Sequence, residues 1–597
     1  MLLSRLVEYA QADPAMTPPF YAPKPVRWIV ELSADGSPAS DRLTPLADPS
    51  NRATRNGTVH VVPAVQRSGT GPAPMLGVDT AEYTLGWASD DARAGKAAQY
   101  HMAFTALIDR WHAADSSPAG AAVDRFLHAG GPARLLRPEQ LAGNHLVAFR
   151  IAGEFAHETA SARRFWAEEA ALRKGSGRTG LCLVCGRVGP LLQTIPQQLP
   201  TRLVPGATNN ASLVSLNKPT HGFDLREQLV HTPICATCGL QAMTALEALL
   251  GGDASSTLPG QDARLAWWVT QDAAFDLGVL DDPTSDRVDE VLGSAVTARK
   301  PHASDLSMFC ALVIGGNVAR VVVREWIELP LPRIVEHLWA WFDDHQIADA
   351  WTGEPGHIGV RRLATVTGRW LGNKDGSGLY ARFGAPGADR PEGVYHALLS
   401  TALLAKPLPP KLLAHLVQRV RTDSRVDSER AALIRLALRR RPGIPHPEAY
   451  MPTLNADNHQ PAYLAGRIFA VLEDLQRYAA VVRGGEPLNV TFSDRYFARA
   501  VTSPAVALVA GRKDARAWLK RLRRDRRGAV GRYEQQLDEL FSQLDDAGGV
   551  PHGAILADQA AFILGYHQQR AASRAERASR TTGTGDADLP ESQGAPQ

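Results

Sequence analysis

Apolar positions in the last third of the chain recur at helical spacing. Leu464, Ile468, Val471, Leu472, Leu475, Ala479 and Val482 fall on one face, with Arg467, Glu473, Asp474 and Arg477 elsewhere around the cylinder. Tyr533, Leu537, Leu540, Phe541 and Leu544 repeat the pattern, and Ile555 to Tyr566 adds another strongly apolar helix. Together they predict a C-terminal helical bundle. The first half alternates instead. Val26 to Leu32 reads as a strand running into an Asp35-Gly36 turn, and Val59 to Val62, Leu146 to Ile151 and Leu265 to Thr270 offer further strands. Met1 to Tyr9 reads as an amphipathic helix, and Gln241 to Leu250 as a short one ending at Gly251-Gly252. Met308 to Ile314 and Val318 to Leu329, joined by Gly315-Gly316-Asn317, predict a hairpin whose second strand carries Arg320 and Arg324 on one face. Those two arginines would either meet phosphates or form a solvated sheet edge.

The fold class expected is therefore α+β and multi-domain. Its parts are an N-terminal α/β region over residues 1–177, a four-cysteine insertion over 178–240, an α/β continuation and linker over 241–390, a helical bundle over 391–570 and a disordered tail over 571–597. A chain of 597 residues is too long for one core, and 44% hydrophobic with 21% charged residues is an ordinary globular balance. The apolar stretch near Phe309 to Val323 is interrupted by Asn317 and Arg320, so no membrane span is expected.

The net charge of +3 is small, but it is unevenly placed. Gly511 to Arg532 holds ten basic residues against two acids, and Lys411 to Arg441 holds nine against three. Both runs suggest an anionic partner. In the first, the arginines could track phosphates while Trp518, Leu519 and Leu522 turn inward.

Four of the five cysteines form two identical clips, Cys182-Leu-Val-Cys185-Gly186 and Cys235-Ala-Thr-Cys238-Gly239. Two thiolates three positions apart reach one ion while the glycine lets the backbone turn beneath them, and two clips complete a tetrahedral shell. Structural zinc held by Cys182, Cys185, Cys235 and Cys238 is the expectation; buried free cysteines or redox dithiols are the alternatives. The 49 residues between the clips exceed the spacing of a compact zinc ribbon, which points to a small segment pinned at its base. A closed thiolate shell leaves no position for water, so catalytic zinc is not expected. Cys310, in an apolar run, reads as core, and the low cysteine usage favours a reducing cytoplasm. Walker A, Gly-x-Ser-x-Gly, His-Glu-x-x-His and dinucleotide-binding glycine motifs are absent. A metal-dependent nuclease built on scattered acids and histidines stays as an alternative to a zinc-stabilised, nucleic-acid-binding adaptor.

Pro461 to Glu473, Asn489 to Phe497 and Gln559 to Gln568 closely resemble the large-subunit family of the type I-C CRISPR effector complex, Cascade. Met1 to Tyr9, Val78 to Gly86 and Leu213 to Asn217 resemble it too, so the likeness runs in order along most of the chain. The cysteine set departs from the family pattern, in which many members have a shorter or incomplete one; zinc therefore rests on these four residues themselves.

The resemblance implies a non-enzymatic subunit of an RNA-guided antiviral surveillance complex. It would sit beside the guide RNA handle and the backbone subunits, read the motif flanking the target in double-stranded DNA, support R-loop formation and dock a separate helicase-nuclease. Within that role, Asn209, Asn210, Asn217 and Lys218, in a loop between the metal clips, are the candidates for reading base edges. Arg516, Lys520, Arg523, Arg524 and Arg527 are those for holding the displaced strand. Asp494-Arg495 reads as a helix cap and bundle ion pair. The resemblance also implies small subunits made from the C-terminal region by an internal start, for which Met451 is a candidate, as are valine codons such as those of Val471 or Val490.

Overall fold

The computed structural model describes residues 2–13, 18, 20–48, 50–65, 67, 71–115, 117–270, 275–284, 286–289, 307–373, 378–482 and 489–583. The chain divides into two compact units, one built from Met1–Ser256, Ala263–Ala266 and Ala311–Trp326, the other from Thr257–Asp262, Trp267–Cys310 and Ile327–Gln597.

The first unit is organised on a five-stranded sheet. Strand Trp28–Leu32 pairs in parallel with Leu146–Ile151, from Trp28 opposite Val147 to Leu32 opposite Ile151. A parallel pair needs a long crossover, and the helices Ala94–Ala114 and Pro118–His128 lie within it. Their apolar faces supply Phe104, Leu107, Trp111, Val123 and Phe126, which bury against Phe149 of the central strand. A two-stranded pair, Tyr21–Val26 with Thr58–Pro63, carries the second cluster, where Val26 and Val62 meet Val78 and Ala148. The turn expected at Asp35-Gly36 forms, with the Asp35 carboxylate accepting from the Ser37 amide at 2.9 Å and Gly36 at a φ of 85°. The hairpin is interrupted: Leu32 bridges Pro38, and Thr44 and Pro45 then return antiparallel opposite Ile29 and Trp28.

Met308–Pro330 is one extended run that doubles back, because the Leu331 amide donates to the Ser307 carbonyl at 2.9 Å. The expected hairpin is therefore present, and its tip pairs with strand Ala207–Ser212, Val318 opposite Ala207 and Arg320 opposite Ser212. Gly316 makes that approach possible, since a Cβ there would lie 2.2 Å from the Ala207 nitrogen.

The second unit is largely helical, and more of it is helical than the pattern suggested. The stretch read as a linker contains Leu331–His345, whose Ile334, Leu338, Trp341 and Phe342 are buried. It packs on Ser428–Arg440, because an apolar stripe follows directly on Pro330-Leu331-Pro332. The tail also departs from expectation. Leu556–Gly583 is one continuous helix, so Ala571 to Gly583 is ordered, while residues 584–597 lie outside the described residues. Few apolar residues mark this extension; ion pairs hold it instead, as Arg577 reaches the Asp474 carboxylate at 2.6 Å.

The centre of the bundle is the pair Pro461–Val481 and Leu556–Gly583. Two glycines set its spacing: a Cβ on Gly466 would lie 2.0 Å from the Phe562 carbonyl oxygen, and one on Gly565 2.3 Å from that of Tyr463. Around this contact, Tyr463 donates to Gln568 and Tyr566 to Glu473, both at 2.6 Å, so the buried polar atoms find partners. Phe469 meets Phe492 at a tilt and Phe497, Phe562 and Tyr566 edge to face, with centroids 4.7–5.9 Å away. Gly466→Ala or Gly565→Ala is expected to destabilise the second unit by about 1–3 kcal/mol through overpacking. Gly531→Ala, in open space on a neighbouring helix, should be neutral or stabilising. Denaturant titration of the three variants checks this.

Candidate metal centre and cationic surfaces

The first clip closes the hairpin Gly175–Leu181 with Val188–Leu192. Its turn is tight: Cys182 donates to the Arg187 carbonyl and Gly186 to that of Cys182, each at 2.9 Å, with Gly186 at a φ of 69°. The second clip opens the helix Ala236–Gly251, with Cys235 at its N-cap and Cys238 in its first turn. That helix starts at the metal clip itself, earlier than the expected Gln241. The two clips are joined by backbone: Leu183 donates to Pro233 and Leu192 to Ile234, both at 2.9 Å.

The four Sγ atoms consequently all lie within 4.8 Å of one another. A tetrahedral ion with thiolate bonds of about 2.3 Å would hold them about 3.8 Å apart, so the donor set fits. Cys182 and Cys238 are buried, Cys235 is half-buried and Cys185 exposed. Burial pushes the Cys182 thiol up, but the amides of Cys185, Cys235 and Val184 outweigh it and bring the pKa down to about 7. The Cys235 amide donates to Cys182 Sγ at 3.3 Å, the hydrogen bond expected of a metal-clip sulfur. Burial and the neighbouring Cys235 sulfur raise Cys238. Gly239 is needed for another reason than a turn: a Cβ there would meet Leu192 Cδ1 at 2.5 Å.

Between the clips the structure changes one expectation. Asn209 and Asn210 are exposed, yet they lie within the strand Ala207–Ser212 and not in a loop. They fall where the register with the hairpin shifts, between Ala207 and Ser212. Asn217 and Lys218 are exposed, and Asn217 Oδ1 accepts from Arg320 at 2.6 Å. Arg320, considered with Arg324 on the hairpin, thus belongs with Asn217, a pairing across 103 positions that strand spacing cannot reveal.

The two basic runs have opposite fates. In Lys411 to Arg441 most guanidinium groups are internal. Arg430 is fully buried, donating to the Val366 and Gly368 carbonyls at 3.0 Å and pairing with Asp423 at 2.7 Å. Arg435 donates to the Tyr450 carbonyl at 2.8 Å, Arg419 pairs with Asp389 and Asp423, Arg439 with Asp343 and Asp344, and Arg440 with Asp344. This run is structural, which corrects the anionic partner expected for it.

The other run lies outside. Helix Pro504–Asp525 buries Ala507, Leu508, Gly511, Ala515 and Leu522 and turns Arg516, Lys520, Arg523 and Arg524 to solvent on the opposite side. Trp518 is half-buried, edge-on to Phe492 with centroids 5.8 Å apart, as an inward-facing residue should be. Arg523 is the exception among the candidates, pairing with Glu534 at 2.7 Å. Arg527 is exposed but follows a break at Arg526 and starts the next helix, Arg527–Asp546. Asp494 completes a capping box with Thr491 and does not pair with Arg495, which lies over the Tyr496 ring.

The other close group of acid and histidine ligand atoms among the described residues is Asp109, Asp124 and His128. His128 is exposed, and its bond to Asp109 at 2.9 Å raises its pKa, which makes the group a surface ion pair. No helix among the described residues is long and apolar enough to cross a membrane.

A multi-domain α+β chain, with a four-cysteine centre in one unit and a solvent-facing cationic helix in the other, is the class these observations define. A family model described as CRISPR-associated protein (Cas_Csd1) matches residues 3–574. The chain belongs to that family, and is therefore a component of the Cascade effector complex of CRISPR defence, which assembles with other Cas proteins and nucleic acids. No curated protein matches it.

Cys182→Ser or Cys238→Ser should abolish bound metal, whereas Cys310→Ser should leave one ion per chain; elemental analysis of the purified variants distinguishes them. Arg430→Ala, which takes the donor from the Val366 and Gly368 carbonyls and leaves buried Asp423 with Arg419 as its one ion-pair partner among the described residues, should cost about 3–5 kcal/mol. Arg524→Ala should leave stability unchanged, and thermal or denaturant unfolding reads both.

Proposed function

We propose that the chain is the large subunit of a type I-C Cascade, acting in the cytoplasm as a DNA-recognition and docking subunit without catalytic activity of its own. The observation that carries this reading is the family match across residues 3–574, combined with a cationic helix whose Arg516, Lys520 and Arg524 have no ion-pair partner among the described residues. The ion at the four cysteines is structural zinc: four thiolates close its shell, leaving no place for an activated water.

Work divides between the units. Flanking-motif reading falls to the metal-braced first unit, where Asn217, Lys218 and Arg320 stand together at the surface and can supply the few fixed donors and acceptors that base edges require. Holding the displaced strand falls to the helix Pro504–Asp525. Lys513 to Arg524 spans about 16 Å at 1.5 Å per residue, long enough to follow two or three phosphates of a single strand. The guide RNA handle, the backbone subunits and a helicase-nuclease complete the partners. Residues 461–583 enclose an aromatic core of their own, which supports a separately made small subunit beginning near Met451.

Replacing Arg516, Lys520 and Arg524 together by Gln should weaken opening of the target duplex in the assembled complex. It should also flatten the salt dependence of strand binding by about 0.7 per lost phosphate contact while leaving the flanking-motif preference unchanged. A salt titration of R-loop formation on matched targets tests it; an unchanged slope would remove the helix from the DNA path.

A further inference from the structure

The second unit contains a cavity of about 670 Å³ that none of the roles above uses. Its walls come from the turn at Asp349–Trp351, the segment Ser424–Glu429, and the helices Val360–Val366, Pro461–Val481 and Leu556–Gly583. Two indoles line it. Trp351 is 74% exposed and has the Arg574 guanidinium over one face at 4.4 Å, and Trp370 has that of Arg425 at 4.5 Å.

The charges in this wall do not all cancel locally. Arg362 pairs with Glu429 at 2.7 Å, Arg425 with Asp427 at 3.6 Å, and Arg477 and Arg570 share Glu473, at 2.8 and 3.9 Å. Asp494 is engaged in the capping box of its helix, and Asp349 accepts from the amides of Trp351 and Thr352 in its own turn. Arg574 alone among the five arginines has no carboxylate partner among the described residues; its one hydrogen bond is to the Ala350 carbonyl at 3.0 Å. Burial, followed by repulsion from Arg570, Arg477 and Arg577, lowers its pKa to about 10. An anion entering here would relieve that repulsion, and the fork geometry of a guanidinium matches a phosphate.

We propose that this cavity binds one nucleotide, its base stacked on Trp351 and its phosphate held by Arg574. A planar aromatic wall beside an unmatched guanidinium is what a nucleoside phosphate requires, and the volume lies in the range of small-molecule sites. The nucleotide could be free or extruded from a single strand. The site is independent of the cationic helix, so its test does not rest on the function proposed above.

The experiment uses the full chain with Arg516, Lys520 and Arg524 already replaced by Gln, so that strand binding at the helix does not mask the cavity. Uridine monophosphate is titrated by calorimetry, and a short labelled single strand of uridines by fluorescence anisotropy. Trp351→Ala and Arg574→Gln should each weaken binding by about tenfold or more. Loss seen with the monophosphate identifies a free nucleotide as ligand; loss seen with the strand alone identifies an extruded one. Three results would overturn the proposal: neither probe binds, both variants bind as the parent does, or inorganic phosphate binds as tightly as the monophosphate and Trp351→Ala changes nothing. The exposure of Trp351 keeps the test valid even if Arg574→Gln fails to fold.

Discussion

A guanidinium can be buried only where carbonyl and carboxylate oxygens meet its N–H groups. That constraint sorts the arginines of this protein and, through them, its surfaces. Arg430 is enclosed by two carbonyls of the Val366–Gly368 turn and by Asp423, and Arg435 by the backbone around Tyr450 and Gln346. These residues tie the helix Ser428–Arg440 to loops that would otherwise expose unpaired carbonyls. What remains outside, on the helix Pro504–Asp525, stays cationic because among the described residues no carboxylate pairs with Arg516, Lys520 or Arg524. The cationic surface is the remainder left after the interior has taken the arginines it can satisfy.

The first unit meets a different difficulty. Its segment from 193 to 234 contains short 3₁₀ turns and one strand, with Leu199, Leu203, Val204 and Leu229 among its buried residues. Holding both ends at one point limits its freedom, as closing any long loop does. The bracing is reinforced by backbone, since Leu199 and Ala211 exchange two hydrogen bonds of 2.8 Å and the strand Ala207–Ser212 lies along the hairpin tip. The paired clips and the sheet together hold Asn217 against Arg320.

The cysteine cluster and the outward basic face of the helix Pro504–Asp525 were legible in the sequence. Clip spacing identified the four cysteines, and helical periodicity placed Trp518 and Leu522 inward and the arginines outward, because both signals are local. Asn209 and Asn210 were legible as polar and exposed but not as strand residues, since their strand forms by pairing with a hairpin more than a hundred positions away. The ordered extension to Gly583 was hidden for a similar reason: Arg577 is held by Asp474, and a composition of arginine, serine and alanine carries no trace of that partner.

The sequence by itself determined the α+β class, the four-thiol centre, the bundle and the family, since each is written in spacing or motif over short distances. Tertiary structure alone decided which of two basic runs faces solvent, which asparagine stands beside Arg320, and that Trp351 and Arg574 share a wall. Those outcomes depend on what lies opposite each charge, and a partner 60 to 220 positions distant leaves no periodic mark on the residues it neutralises.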